Sequence, residues 1–150
     1  MTVSLLIDEL KRDEGLKLFA YDDSTGAAIK PGTTVRGHVT IGIGRALDIR
    51  GVSVDEARYL LCNDIAAFTL GLTQRFTWFN TLDDVRQRIL VNMAFNLGID
   101  GLSQFRQMLV AIADRDYDTA AREMEDSEAA RQAPARYARL SAAMSSGVAQ

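Results

Sequence analysis

The chain predicts an α+β fold, predominantly α, with a small antiparallel sheet near the N-terminus and helices after it. Three observations predict it. Apolar residues recur at helical spacing from Val3 to Leu10 and again beyond residue 53. The stretch from Leu18 to Ile43 is instead β-branched in pieces and punctuated by Ser24-Thr25-Gly26, Lys30-Pro31-Gly32 and Arg36-Gly37, as short strands joined by turns are. Helix-start signals then follow at Ser53, Thr81 and Pro134.

Each element has its own justification. Val3, Leu6, Ile7 and Leu10 form one helical stripe, and Gly15 lies just past its end, so a helix is expected over about 2–14. Pro31-Gly32 suits the centre of a type II turn, because Pro presets φ and Gly accepts φ > 0. In Thr40-Ile41-Gly42-Ile43-Gly44 the side chains alternate, which puts Ile41 and Ile43 on the expected core face. Thr40, Gly42 and Gly44 then face the other way. Asp22 and Asp23 also point oppositely, so only one can join Thr40. Ser53-Val54-Asp55-Glu56 is a capping box opening a long helix with the stripe Val54, Ala57, Leu61, Ile65 and Phe68. Thr81-Leu82-Asp83-Asp84 opens another through Val85, Ile89, Met93 and Leu97, closed by Gly98. Shorter helices are expected at about 102–113 and 117–127, and one entered at Pro134. Trp78 is read as an anchor for the loop between two helices.

Bulk properties narrow the function classes. With 150 residues, 47% apolar, 25% charged and two prolines, this is an ordinary folded globule. Cys62 is the single cysteine, so no internal disulfide can form and no structural zinc set exists; no metal or cofactor is expected. The first ten residues have neither a basic n-region nor a long apolar stretch, so neither a signal peptide nor membrane insertion is expected. A net charge of −3 argues against a nucleic-acid partner. The counter-reading, a small helical regulator that binds DNA, rests on the short helices and on Arg131, Arg136 and Arg139 in an acid-free C-terminal segment. His38, the lone histidine, is expected to be exposed in the hairpin region, and no Ser-His-Asp or Cys-His set forms around it.

The chemistry centres on Glu14, Asp23 and Thr40. A helix C-terminus carries partial negative charge and disfavours a carboxylate there by roughly 0.3–1 kcal/mol. That favours the protonated form a general acid needs. Asp23 is read in isolation as a turn residue ahead of Ser24-Thr25-Gly26. Thr40 looks into the space the glycines leave open for a ligand.

Taken together, Glu14-Gly15-Leu16, Tyr21, Asp23 and Thr40-Ile41-Gly42-Ile43-Gly44 resemble the active-site region of the phage-type lysozymes of T-even and related tailed phages. The resemblance continues through Asp55-Glu56-Ala57, Asp64, Leu82-Asp83, Val85-Arg86, Asn92 to Gly98, Phe105, Asp118, Pro134 and Arg136, and spans about 5–140. It implies a lysozyme-like two-lobed fold within a single domain. A small sheet lobe (about 15–52) is joined by a long helix (about 53–70) to a helical lobe (about 71–150) that also includes helix 2–14. It implies an endolysin hydrolysing the β-1,4 bond between N-acetylmuramic acid and N-acetylglucosamine in bacterial peptidoglycan.

By that resemblance Glu14 is the general acid, and Asp23 with Thr40 positions the attacking water, with inversion as the outcome and carboxyls about 6.5–9.5 Å apart. Arg136 matches an arginine that reaches the catalytic glutamate, and Phe95 a position lining the sugar site; from its neighbours alone Phe95 equally reads as a core aromatic beside Met93 and Leu97. Where the family commonly has His after Gly-x-Gly, this chain has Arg45, and an Arg45–Asp64 ion pair is expected in place of a His–Asp one. Between Asp23 and Thr40 lie 16 residues, more than in short family members. They read as a longer hairpin or flap whose Lys30, Arg36 and His38 could meet peptidoglycan carboxylates, or as a plain surface extension. The resemblance further implies a monomer of the host cytoplasm that reaches the cell wall through a holin lesion. The remaining rival is a catalytically weak peptidoglycan-binding module of the same fold.

Overall fold

The computed structural model describes residues 2–149. The chain divides into two compact units, Met1–Arg58 and Tyr59–Gln150. In the first, α1 (Val3–Glu14) ends where Gly15 turns to φ +75° and its N–H returns to the Lys11 carbonyl at 3.0 Å. Lys11 and Arg12 in the last turn complement the helix dipole. None of the residues of α1 is buried.

β1 (Lys17–Asp22), β2 (Val39–Gly42) and β3 (Arg45–Ala46) form an antiparallel sheet in that order. Tyr21 pairs with Thr40 and Asp22 with Val39, while Thr40 pairs with Ala46 on the other side. The register shifts between Lys17 and Tyr21. As expected, Lys30-Pro31-Gly32-Thr33 forms a turn, with Thr33 N–H on the Lys30 carbonyl at 2.9 Å and Gly32 at φ +84°.

The expected core face of β2 is corrected. Thr40 is 3% exposed, whereas Ile43 is exposed and Ile41 half-buried. Ile43 falls in the tight β2–β3 turn outside both strands, and within β2 alternation says which residues share a face without saying which face is covered.

After the short α2 (Leu47–Arg50), α3 (Val54–Arg75) opens with the anticipated capping box. Ser53 N–H donates to Glu56 Oε2 at 2.7 Å, and Glu56 N–H returns to Ser53 Oγ at 3.2 Å. The helix runs past residue 70 to Arg75, and of its residues Leu72 alone among those described is buried. Val54, Leu61 and Ile65 of the expected apolar stripe are exposed.

The second unit holds the hydrophobic core. α4 (Asp84–Leu102), α5 (Arg106–Ala113), α6 (Tyr117–Glu125), α7 (Glu128–Gln132) and α8 (Pro134–Ser146) follow a single 3₁₀ turn at Phe79–Thr81. Asp83, Asp116 and Ser127 cap α4, α6 and α7 with their side chains, and Pro134 opens α8. Gly98 interrupts α4 at φ +72°, so the closure expected there is a kink, and 99–102 add a last turn. The helix expected from 102 therefore starts at Arg106. α6 packs against α5 and α8, and α4 against α8. Leu90, Met93, Leu102, Met124 and Met144 are wholly buried among them, each contributing about 1.5–3 kcal/mol by leaving water. Phe76 and Trp78 stack with ring centroids 5.2 Å apart and pack on this core, which anchors the α3–α4 loop as expected.

Candidate active site

In the first unit, the end of β1 supplies two successive acids with different fates. Asp22 is 2% exposed. Its Oδ1 accepts from Ser24 N–H (3.0 Å), Ser24 Oγ (2.8 Å) and Gly37 N–H (3.1 Å), and its Oδ2 from Arg36 N–H (2.8 Å). The Arg36 amide, then the Ser24 hydroxyl, draw its carboxyl down from 3.8 to about 2, outweighing desolvation. Asp23 is exposed, and its Oδ1 accepts from His38 N–H at 2.7 Å. Among the described residues its second oxygen accepts no hydrogen bond.

His38 joins Asp23 to Thr40. Its carbonyl accepts from Asp23 N–H at 3.1 Å and from the Thr40 hydroxyl at 3.4 Å. Side-chain alternation does the rest, because Tyr21 is opposite Thr40 and Asp23 lies two residues beyond Tyr21 on the same face. Asp22 falls on the other face, and the insertion folds over it. Of the two acids, the one left open to solvent is Asp23, the residue singled out from the sequence.

Glu14, exposed at the end of α1, lies against the β2–β3 turn. A Cβ added at Gly44 would come to 3.4 Å from Glu14 Oε2 and 3.7 Å from its Cγ and Cδ. Gly44 is required by the turn, at φ +71°, and the Glu14 carboxyl lies in ordinary contact range of it. The space at Gly42 is open, with nothing within 4 Å of an added Cβ.

The predicted partner of Arg45 is corrected. Arg45 is half-buried and donates from Nε to the Gly51 carbonyl at 2.8 Å, which brings its Nη1 onto Glu56 Oε1. Glu56 already faces this end of α3 because the capping box holds it there. Asp64 is eight residues further along the sequence of α3, in the other unit. The Ser53 amide is the first cause that lowers the Glu56 carboxyl, with Arg45 a smaller one.

His38 is exposed, as expected, and its Nδ1 lies 3.0 Å from Asp48 Oδ2. Sequence reasoning gave His38 no partner, and the ten-residue separation carries no local signal for this one. For Asp22 the sequence offers only the repeated acid, since one of the pair alone can face Thr40, and it gives no sign of the amides that Asp22 accepts.

In the second unit, Phe95 is 46% exposed with its ring 5.7 Å from that of Phe68. It borders a pocket of about 470 Å³ with Leu61, Ile65, Val91 and Asn92. Phe95 is therefore not the core aromatic that its apolar neighbours also allowed. Arg136 donates from Nε (3.0 Å) and Nη2 (2.8 Å) to Asn92 Oδ1, and from Nη2 to the Asn92 carbonyl (3.0 Å). Asp64 is exposed on α3. Among the described residues no cluster of His, Cys, Asp and Glu is placed to hold a metal ion, and no helix is long and apolar enough to cross a membrane.

Known proteins match the sequence along most of the chain. Residues 11–135 match the family described as phage lysozyme. The chain is 25% identical to "Probable T4-type lysozyme 1" of Dictyostelium discoideum over 97% of its own length and 96% of that protein. It is 27% identical to "Probable T4-type lysozyme 2" of the same organism with the same coverage. It is 26% identical to the pre-baseplate central spike protein of Enterobacteria phage T4, over 81% of this chain and 24% of that much longer protein. A mostly helical chain with a three-stranded N-terminal sheet, matched by that family over 125 of its 150 residues, belongs to the phage lysozymes and is a glycoside hydrolase, a lysozyme-like muramidase of peptidoglycan.

Proposed function

We propose that the enzyme cleaves the β-1,4 bond between N-acetylmuramic acid and N-acetylglucosamine by a single displacement with inversion. Glu14 donates the proton to the leaving oxygen. Asp23, with Thr40, holds the attacking water on the opposite face of the sugar. The observation that carries this reading is the state of Asp23: one carboxylate oxygen is anchored by the His38 amide and the other is left to accept from water. The His38 carbonyl ties the Thr40 hydroxyl to the same point. Inversion requires a water between the carboxyls, hence a spacing of about 6.5–9.5 Å in the working enzyme. Phe95, with its exposed ring, is proposed to line the sugar site, and Arg45, Asp64 and Arg136 to support the site electrostatically.

The biological setting proposed with it is host cell lysis. The protein accumulates as a monomer in the host cytoplasm and reaches the cell wall through a holin lesion. The alternative is a binding module of the same fold with weak turnover, and the presence of Glu14, Asp23 and Thr40 together counts against it.

One comparison tests the acid. Lysis of outer-membrane-stripped Gram-negative cells is followed for the wild type and for Glu14→Gln, an isosteric amide without the proton. The rate is expected to fall by about 10²–10⁴, and equal rates would overturn the assignment. The anomer first released from soluble glycan, read by NMR, decides between inversion and retention.

A further inference from the structure

Asp22 takes no part in the acid–base pair proposed above, yet its carboxylate accepts four hydrogen bonds. Its backbone is equally engaged, with its N–H on the Ala27 carbonyl (3.0 Å) and its own carbonyl accepting from Gly26 N–H (2.7 Å). One residue thereby fastens the beginning and the end of the 23–37 segment.

The end of that segment bears directly on Asp23. Three consecutive amides, of Arg36, Gly37 and His38, point at two consecutive carboxylates: the first two at Asp22, the third at Asp23. The His38 N–H belongs to the planar Gly37–His38 peptide, so its direction follows the torsions at Gly37. Contact is also close at Gly37, where an added Cβ would fall 2.1 Å from Asp23 Oδ1. The Asp23 carboxylate is thus bedded on the strip of backbone that Asp22 holds down.

We propose that Asp22 is a positioning residue for the hydrolysis: by clasping the Arg36 and Gly37 amides it fixes the His38 amide, and through it the Asp23 carboxylate that holds the water. The inference rests on the reading of Asp23 as the water-holding group. It also accounts for the paired acids, one buried and structural, the other open and chemical. Asparagine at 22 keeps the shape but turns one acceptor into an NH₂ facing an amide donor, so the clasp loosens on that side.

The test uses the full chain with soluble peptidoglycan fragments, measuring kcat and KM for the wild type, Asp22→Asn, Ser24→Ala and Asp23→Asn, with amide exchange of His38. A misplacement of about 1 Å costs about 10²-fold in rate, so Asp22→Asn is expected to lower kcat by up to about that factor. KM should stay within about twofold, since sugar contacts elsewhere are untouched, and His38 amide exchange should quicken about tenfold as the segment opens locally. Ser24→Ala removes one of the four bonds and should shift kcat and exchange in the same direction by less. A folded Asp22→Asn with wild-type kcat, or with a loss confined to KM, overturns the proposal. Should Asp22→Asn not fold, Ser24→Ala decides, and wild-type kcat with unchanged His38 exchange overturns it. Wild-type kcat in Asp23→Asn sinks the reading of Asp23 itself; a loss there beside an unaffected Asp22→Asn sinks the positioning role alone.

Discussion

The Glu14 carboxyl lies on Gly44, at the turn that joins the strand carrying Thr40 to the strand carrying Arg45. The proposed acid thus sits against a hairpin turn whose conformation favours glycine. Alanine at 44 would have to hold φ +71°, at a cost of roughly 1–2 kcal/mol for an L side chain. Its methyl would also stand 3.4 Å from Oε2. Gly44→Ala is therefore expected to lower both the urea midpoint and kcat. Unchanged turnover would mean that the position of Glu14 on this turn does not matter to the chemistry.

Ser53, Glu56 and Arg45 act as one group at the start of α3. Ser53→Ala removes the cap and should cost about 0.5–2 kcal/mol, while Arg45→Met, breaking a partly exposed ion pair, should cost at most about 1 kcal/mol. Glu56 has a lowered carboxyl, so its contribution is complete above the ordinary value of 4.5 and is lost as pH falls through the lower folded value. Chemical denaturation of both variants at pH 7 and at pH 3 tests the ranking; the gap between wild type and Arg45→Met should narrow in acid, whereas Ser53→Ala keeps the Ser53 amide that lowers Glu56 most.

The His38–Asp48 pair has the opposite pH dependence. The hydrogen bond and charge of Asp48 raise the imidazole above 6.5, and the same bond lowers the Asp48 carboxyl. A raised base contributes its stability below pH 6.5 and loses it as pH climbs through the folded value. In an NMR titration the His38 ring should titrate above its ordinary value, and Asp48→Asn should return it toward 6.5. Identical curves for the two proteins would mean that the pair does not form in solution.

Local signals are legible in the sequence and pairings at a distance are not. The capping box at Ser53, the turn at Pro31-Gly32 and the helix entry at Pro134 are set by a few adjacent residues, and each is where it was expected. Strand alternation says that only one of Asp22 and Asp23 can share a face with Thr40; the family resemblance points to Asp23, and the Tyr21–Thr40 pairing puts that residue on the Thr40 face. The burial of Ile41 and Ile43 failed because alternation says which residues share a face, not which face is covered. Arg45 went to the wrong acid because helix spacing along α3 does not reveal where the chain before it delivers a guanidinium. The Asp22 clasp depends on amides 14 and 15 residues away, whose donors are backbone and leave no mark in the side-chain pattern.

Arg136 and Asn92 offer a test of geometry against charge. The guanidinium meets Asn92 through two nitrogens and three contacts, at 2.8–3.0 Å. Lysine has no planar fork and can keep one such contact at best, so Arg136→Lys should cost about 0.5–1.5 kcal/mol although the charge is retained. Asn92→Asp offers the same fork a charged acceptor, which strengthens the hydrogen bonds but gains at most about 1 kcal/mol in an exposed setting. Urea denaturation should therefore order the proteins Asn92→Asp at or above wild type, and wild type above Arg136→Lys. Added salt should erase the gain of the aspartate while leaving the lysine deficit in place, because screening weakens a charge pair and does not restore a lost fork.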